Sequence, residues 1–153
     1  LQVGAALGFS GTFFNSIDPK GRLSIPAKLR GVLADKFGDE LLVVTRRKDA
    51  LVAYPASQWE KIRARVDAMP NGDAKDLVYR NRISPAVECG FDRQGRIALP
   101  PSLRTIAGFD KEVVIVAMGD KLELWSQAAF EAQMAADEQA MENMKAELGS
   151  LGF

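Results

Sequence analysis

The sequence predicts an α+β fold made of two homologous halves of one chain, and three observations predict it. The stretch Asp18-Pro19-Lys20-Gly21-Arg22-Leu23-Ser24-Ile25-Pro26 returns as Asp92-Arg93-Gln94-Gly95-Arg96-Ile97-Ala98-Leu99-Pro100, a shift of 74 residues (92 − 18), and Leu29-Arg30 is answered by Leu103-Arg104. Each copy is then followed by the same series of patterns: a short helix, an apolar hairpin and a longer helix. A half of about 60 residues makes only a marginal core by itself, so two related halves gain by burying each other's apolar faces. Pseudo-twofold symmetry follows, and it places Arg22 and Arg96 on related sites.

Phe13 to Ile17 is a short β-branched and aromatic run, read as a strand. Asp18-Pro19-Lys20-Gly21 is a turn, in which proline pre-sets φ, aspartate accepts from the following backbone and glycine tolerates positive φ. Arg22 to Ile25 alternates as a half-buried return strand should. Pro26 ends it and suits the first turn of a helix, which Ala27 to Leu33 continues. Asp35 to Asp39 is a polar connection, Leu41 to Thr45 a buried strand, Arg46 to Asp49 a hairpin loop and Leu51 to Tyr54 the returning strand. Ser57-Gln58-Trp59-Glu60 has capping-box spacing and opens a helix to about Met69, with Trp59, Ile62 and Val66 on its apolar face.

Pro70-Asn71-Gly72-Asp73 is the clearest break. A helix over Asp73 to about Ile83 ends at Ser84-Pro85, and the second copy runs from Val87 to Ile106 with Pro100-Pro101 opening its helix. Val113 to Val116 and Leu122 to Trp125 answer the first hairpin; Tyr54 maps to Trp125 and Trp59 to Phe130 at a shift of 71 (125 − 54). A last helix from about Gln127 to Leu148 carries Phe130, Met134, Met141, Met144 and Leu148 on or near one stripe, expected to pack on a neighbouring subunit or on its own barrel. The repeats are thus 9–72 and 73–148, one intertwined unit, with 1–8 and 149–153 as tails. The small apolar stretch Leu1 to Gly8 lacks the basic region of a signal peptide, and no function is assigned to it.

The chain has no histidine and one cysteine, Cys89, which removes Ser-His-Asp and Cys-His catalysis and any ordinary zinc site. A lone cysteine forms no disulfide within its chain, in keeping with a reducing cytoplasm, and Cys89 in a strand reads as a buried structural thiol. No P-loop, dinucleotide fingerprint or nucleophile elbow is present. Asp18 and Asp92 could form an acid–base pair, but turn chemistry accounts for both, so no enzyme, cofactor, metal or small-molecule substrate is expected. No apolar run approaches the roughly 18 residues of a membrane span.

Asp18, Gly21, Asp92 and Gly95 are each explained by the turn. Arginine directly after the glycine is not something a turn requires, yet both copies have it. Either each guanidinium pairs with its own aspartate or it is presented to an anion, and the two are compatible, because a carboxylate can hold an arginine fork in place for a phosphate or a guanine edge. Formal net charge is zero, from 20 basic and 20 acidic residues, but the charge is unevenly placed. Lys20, Arg22, Lys28 and Arg30 against Asp18 give the first motif +3; Arg93, Arg96 and Arg104 against Asp92 give the second +2. Residues 127–153 carry −4, from Glu131, Asp137, Glu138, Glu142 and Glu147 against Lys145. Lys28, Arg30 and Arg104 lie a helical stretch beyond the motifs and are read as salt-bridging or solvated.

Both motifs resemble the Asp-x-x-x-Arg signatures of the MraZ family of bacterial transcriptional regulators, and the resemblance runs from Phe9 to about Leu148. It takes in the Tyr54-Pro55 and Trp59 segment and the Pro100-Pro101-Ser102-Leu103-Arg104 run. The resemblance implies an AbrB-like swapped-hairpin β-barrel formed by the two halves, with flanking helices. It also implies a cytoplasmic, nucleoid-associated, ring-like homo-oligomer that binds double-stranded DNA at direct repeats upstream of the division and cell-wall gene cluster, its own gene included. On that basis Arg22 and Arg96 reach guanine edges or phosphates, Lys20 and Arg93 contact phosphates, and Asp18, Gly21, Asp92 and Gly95 shape the turns. Lys20 matches the basic residue common inside the first motif; in the second, Arg93 stands one place earlier and Gln94 takes the matching position. Related barrels bind polypeptides, so the alternative is a protein-interaction or antitoxin-like module, with the Met-bearing tail as its working surface.

Overall fold

The first strand of each half is hydrogen-bonded not to its own half but to the other. The structure, a computed structural model, describes residues 8–153, and the apolar stretch before Gly8 lies outside them. The strands are β1 (Thr12–Ser16), β2 (Arg22–Ser24), β3 (Leu41–Arg47), β4 (Ala50–Pro55), β5 (Val87–Gly90), β6 (Arg96–Ala98), β7 (Glu112–Ala117) and β8 (Leu122–Ser126). The helices are α1 (Ala27–Val32), α2 (Ala56–Asp67), α3 (Asp73–Val78), α4 (Pro101–Ala107), α5 (Gln127–Glu142) and α6 (Lys145–Leu151). A π-helical turn extends α1 over Leu33–Phe37 and another extends α3 over Tyr79–Ile83.

One antiparallel six-stranded sheet has the order β1-β7-β8-β4-β3-β5, and β2 pairs with β6 in a separate two-stranded ribbon. Exchanging the halves (β1 for β5, β2 for β6, β3 for β7, β4 for β8) reads the same order backwards. The pseudo-twofold therefore passes between β4 and β8 and between β2 and β6. Register obeys it too: Phe13 faces Ile115, and its counterpart Val87 faces Val44. This is the swapped-hairpin α+β arrangement. The ladder ends at β1 and β5, so it does not close as a barrel; the ribbon bridges the two ends, with Ile17 bridging to Leu23 as β1 turns into β2.

Alternation on the strands sets the core. Leu23 and Ile97, from the inner face of the ribbon, are fully buried together with Val44, Leu51, Ile115 and Leu124 from the sheet. A second, smaller cluster lies between β3 and the following helices, built on Val43, Trp59, Val66 and Ile83, with Tyr54 and Trp59 rings 5.8 Å apart.

Several element ends differ from the sequence reading, each for a local reason. The polar connection expected over Asp35 to Asp39 is helical to Phe37, because the Phe37 ring stacks on Phe9 at 5.2 Å and Gly38, at φ +66°, ends the helix. With this extension the helical stretch 27–37 is four residues longer than its counterpart Pro101–Ala107, and the connection after it is one residue shorter, so the repeat shift falls from 74 to 71. The first hairpin loop is only Lys48-Asp49, with Lys48 left-handed at φ +51°, since Arg46 and Arg47 stay paired with Leu51 and Ala50. The capping box does not form: α2 is capped from outside by Asp39, whose Oδ2 accepts from the Ser57 amide at 3.1 Å and the Ser57 hydroxyl at 2.7 Å. Pro26 occupies the N-cap position of α1 rather than its first turn, whereas Pro100-Pro101 opens α4 as expected, with Pro100 at the N-cap and Pro101 in the first turn. The single C-terminal helix is broken at Asn143-Met144, and α5 has no buried residue. Phe130 packs edge-on against Phe14 at 6.3 Å, whereas Met134, Met141 and Met144 are exposed.

Candidate nucleic-acid interface

Each motif forms the same turn. The Asp18 carbonyl accepts from the Gly21 amide at 2.9 Å, and the Asp18 amide donates to the Arg22 carbonyl at 3.1 Å. Its carboxylate turns inward on the loop: Oδ1 accepts from the Lys20 amide at 3.0 Å and the Arg22 amide at 2.8 Å, and Oδ2 accepts from Arg22 Nε at 2.5 Å. Asp92 repeats this, with Oδ1 accepting from the Gln94 and Arg96 amides at 2.9 Å each and Oδ2 from Arg96 Nε at 2.8 Å. Gly21 and Gly95 hold φ +82° and +75°, which glycine adopts without strain. Both carboxyls lie below their ordinary value; the main cause is the amide of Arg22 or Arg96, joined by its guanidinium and opposed by partial loss of solvation.

The ribbon brings the two turns together. Arg22 faces Ala98, Leu23 faces Ile97 and Ser24 faces Arg96. Since Leu23 and Ile97 point into the core, Arg22, Ser24, Arg96 and Ala98 share the outer face. Arg96 Nη1 also lies 3.9 Å from Asp18 Oδ2, so the second arginine reaches the first motif's aspartate. The Arg22 and Arg96 side chains remain 39% and 27% exposed. Lys20 and Arg93 sit exposed on the turns themselves. Lys20, Arg22, Arg93 and Arg96, with Asp18, Gly21, Asp92 and Gly95, therefore occupy one end of the molecule, on the ribbon and its two turns.

Two further residues belong to this end and were misread from sequence. Arg30 Nε donates to the Ile25 carbonyl at 3.0 Å, and Arg104 Nε to the Leu99 carbonyl at 3.0 Å; both side chains are half-buried, and neither enters a salt bridge among the described residues. The signal was present: Arg30 and Arg104 recur at the same shift of 74 as the motif itself. Cys89 falls at the counterpart of Asn15. Asn15 donates to the Ser24 carbonyl at 2.8 Å, and the Cys89 thiol, a far weaker donor, approaches the equivalent Ala98 carbonyl at 3.6 Å. Burial pushes that thiol up to about 11, which suits a structural residue and not a nucleophile.

Chemically, this end offers anion-binding donors and little else. With Nε held by the aspartate, each motif arginine presents its terminal nitrogens from a fixed root. A carboxylate whose two oxygens are both occupied and whose pKa is lowered is a poor general base. Among the described residues no group of three histidine, cysteine, aspartate or glutamate side chains is placed to hold a metal ion, and no helix is long and apolar enough to cross a membrane.

A family model described as "MraZ protein, putative antitoxin-like" matches residues 9–79 and again 83–149. Curated relatives named transcriptional regulator MraZ align over most of the chain. The Syntrophotalea carbinolica protein is 44% identical, covering 95% of this chain and 99% of that one. Those of Halothermothrix orenii and Pediococcus pentosaceus are 38% and 35% identical, each again covering 95% of this chain and 99% of the relative.

Proposed function

The chain belongs to the MraZ family, and from that premise we propose that it is a sequence-specific DNA-binding transcriptional regulator, not an enzyme. It acts as a repressor at direct repeats upstream of the division and cell-wall gene cluster, its own gene included, on the cytoplasmic nucleoid. The observation that carries this reading is the placement of Arg22 and Arg96 on the outer face of one two-stranded antiparallel ribbon, each rooted by its own aspartate. A two-stranded ribbon is one of the elements the major groove admits, and an arginine presented edge-on is the commonest reader of guanine there. Lys20 and Arg93, exposed on the flanking turns, contact phosphates.

One bidentate arginine contributes roughly 1–3 kcal/mol of base discrimination, so a single chain with two such residues binds weakly. A ring-like homo-oligomer that sets neighbouring subunits on successive repeats gains about 10²–10⁴-fold in avidity where the spacing fits. Local basic surface, repeated, then lets a chain of zero net charge select an operator. The alternative, a protein-interaction or antitoxin-like module, draws on the family description and on the exposed methionines of α5.

The test is fluorescence anisotropy with labelled duplex from upstream of the protein's own gene, titrated at several salt concentrations with random competitor DNA. An Arg22→Ala/Arg96→Ala double variant, shown to be folded, runs beside it. Competitor-resistant binding by the wild type, lost in the variant, is the expected result. Equal binding by both, on this and other candidate operators, transfers the reading to the interaction module.

A further inference from the structure

Arg30 and Arg104 have no ion pair among the described residues, although both lie half-buried at a basic end of the molecule. Beyond the carbonyl of its own half to which its Nε donates, each guanidinium meets a residue of the other half. A Cβ added to Gly95 would lie 2.6 Å from Cζ and Nε of Arg30; one added to Gly21 would lie 2.7 Å from Nε of Arg104. Each guanidinium therefore crosses the pseudo-twofold and rests against the turn glycine of the opposite motif. The backbone closes the circuit. Gly95 carbonyl accepts from the Ile25 amide at 3.1 Å, and the Ile25 carbonyl accepts from Arg30 Nε at 3.0 Å. Equivalently, Gly21 carbonyl accepts from the Leu99 amide at 2.8 Å, and the Leu99 carbonyl accepts from Arg104 Nε at 3.0 Å. Two such rings, formed at equivalent positions of the two repeats, are a device of the fold and not an accident of one side chain.

We propose that Arg30 and Arg104 are crossed positioning residues: Arg30 holds the second motif's turn, and Arg104 holds the first. Each α-helix that follows a motif thus sets the geometry of the motif it does not follow. The glycine lies directly before the reading arginine, so a turn that loosens at Gly95 releases Arg96, and one that loosens at Gly21 releases Arg22. The guanidinium suits the task by shape. Its Nε is directed at a fixed carbonyl while the plane covers a backbone that has no side chain, and a lysine ammonium on a flexible stem can do neither. The contact also requires glycine at both positions, beyond what positive φ demands.

The first experiment needs no DNA: hydrogen–deuterium exchange of the full chain, followed on peptides covering residues 16–24 and 90–98. Arg30→Ala should raise uptake in 90–98 several-fold and leave 16–24 close to wild type, and Arg104→Ala should do the reverse. Arg30→Lys, which keeps the charge and the aliphatic stem but not the guanidinium, should show the same crossed pattern and keeps the test open if the alanine variant does not fold. Uptake rising in the variant's own half, or equally in both, overturns the proposal. The second experiment rests on the DNA-binding reading and fails separately from the first. Arg30→Ala should add little loss of operator affinity to Arg96→Ala but a further several-fold loss to Arg22→Ala. Full rescue of affinity by Arg30→Lys would make Arg30 a simple phosphate contact and overturn the positioning role.

Discussion

Asp18 and Asp92 show how much a single residue type settles in this protein. One oxygen of each carboxylate closes a turn and the other roots an arginine, so the two roles can be separated by chemistry. Asp18→Asn keeps an acceptor for the Lys20 and Arg22 amides but offers an N–H where Arg22 Nε needs an acceptor. It should therefore melt close to wild type and bind operator more weakly, whereas Asp18→Ala should lose both stability and binding; thermal melts alongside anisotropy check this. The sign of the pH effect follows from the lowered carboxyl values. Their contribution is present above the ordinary value of 3.8 and is lost as pH falls below it, through the depressed folded values. With no histidine in the chain, melts between about pH 5.5 and 7.5 should show no titrating side-chain step. Cys89, buried and raised to about 11, should resist iodoacetamide at pH 8 in the folded protein and react once it is unfolded. At this scale the duplicated motif was legible because both copies break the same expectation, an arginine where a turn needs none. The recurrence of Arg30 and Arg104 is legible too, but the turn glycine each rests against lies across the symmetry axis and leaves no mark in the arginine's own neighbourhood.

At the scale of elements, local sequence identified the strands and most helices, and mistook what held their ends. Ser57 and Glu60 have the spacing of a capping box, yet the Ser57 amide and hydroxyl go to Asp39, a residue 18 positions earlier in the chain. Asp39→Ala should destabilise the protein by about 1 kcal/mol, as loss of a cap does, and Glu60→Ala should be nearly neutral in the same urea titration. A capping box acting as spaced would give the opposite ranking. In the second half the cap is local: Ser126 Oγ accepts from the Ala129 amide at 3.1 Å, so there the sequence alone would have sufficed. The C-terminal helix was read as one because its methionines keep helical spacing. Spacing cannot report that Met134, Met141 and Met144 lie exposed while Phe130 packs on Phe14, nor that the helix breaks at Asn143-Met144.

The whole molecule is one unit because each half is incomplete without the other's first strand. β1 is hydrogen-bonded to β7 and β5 to β3, while Leu23 and Ile97, the two ribbon residues that seal the core, face each other across the axis. Residue patterns alone supply the duplication and the need for a shared core; the exchange is expected only from the family resemblance, since strand pairing is set by contacts distant along the chain. Cutting between the repeats tests it. Residues 8–72 alone leave β1 without β7 and β3 without β5, and they leave Leu23 without Ile97. The isolated segment should therefore not fold as a monomer. Because the registers are equivalent, with Phe13 on Ile115 matching Val87 on Val44, a second copy can supply the missing strand, with its Phe13 opposite Val44. Sedimentation and circular dichroism across a dilution series should then show structure that appears only with dimerisation and is lost on dilution. A folded monomer that persists at the lowest concentration would mean the first half completes its own sheet. The exchange of strands would then be a choice of the full chain, and not the condition for its core.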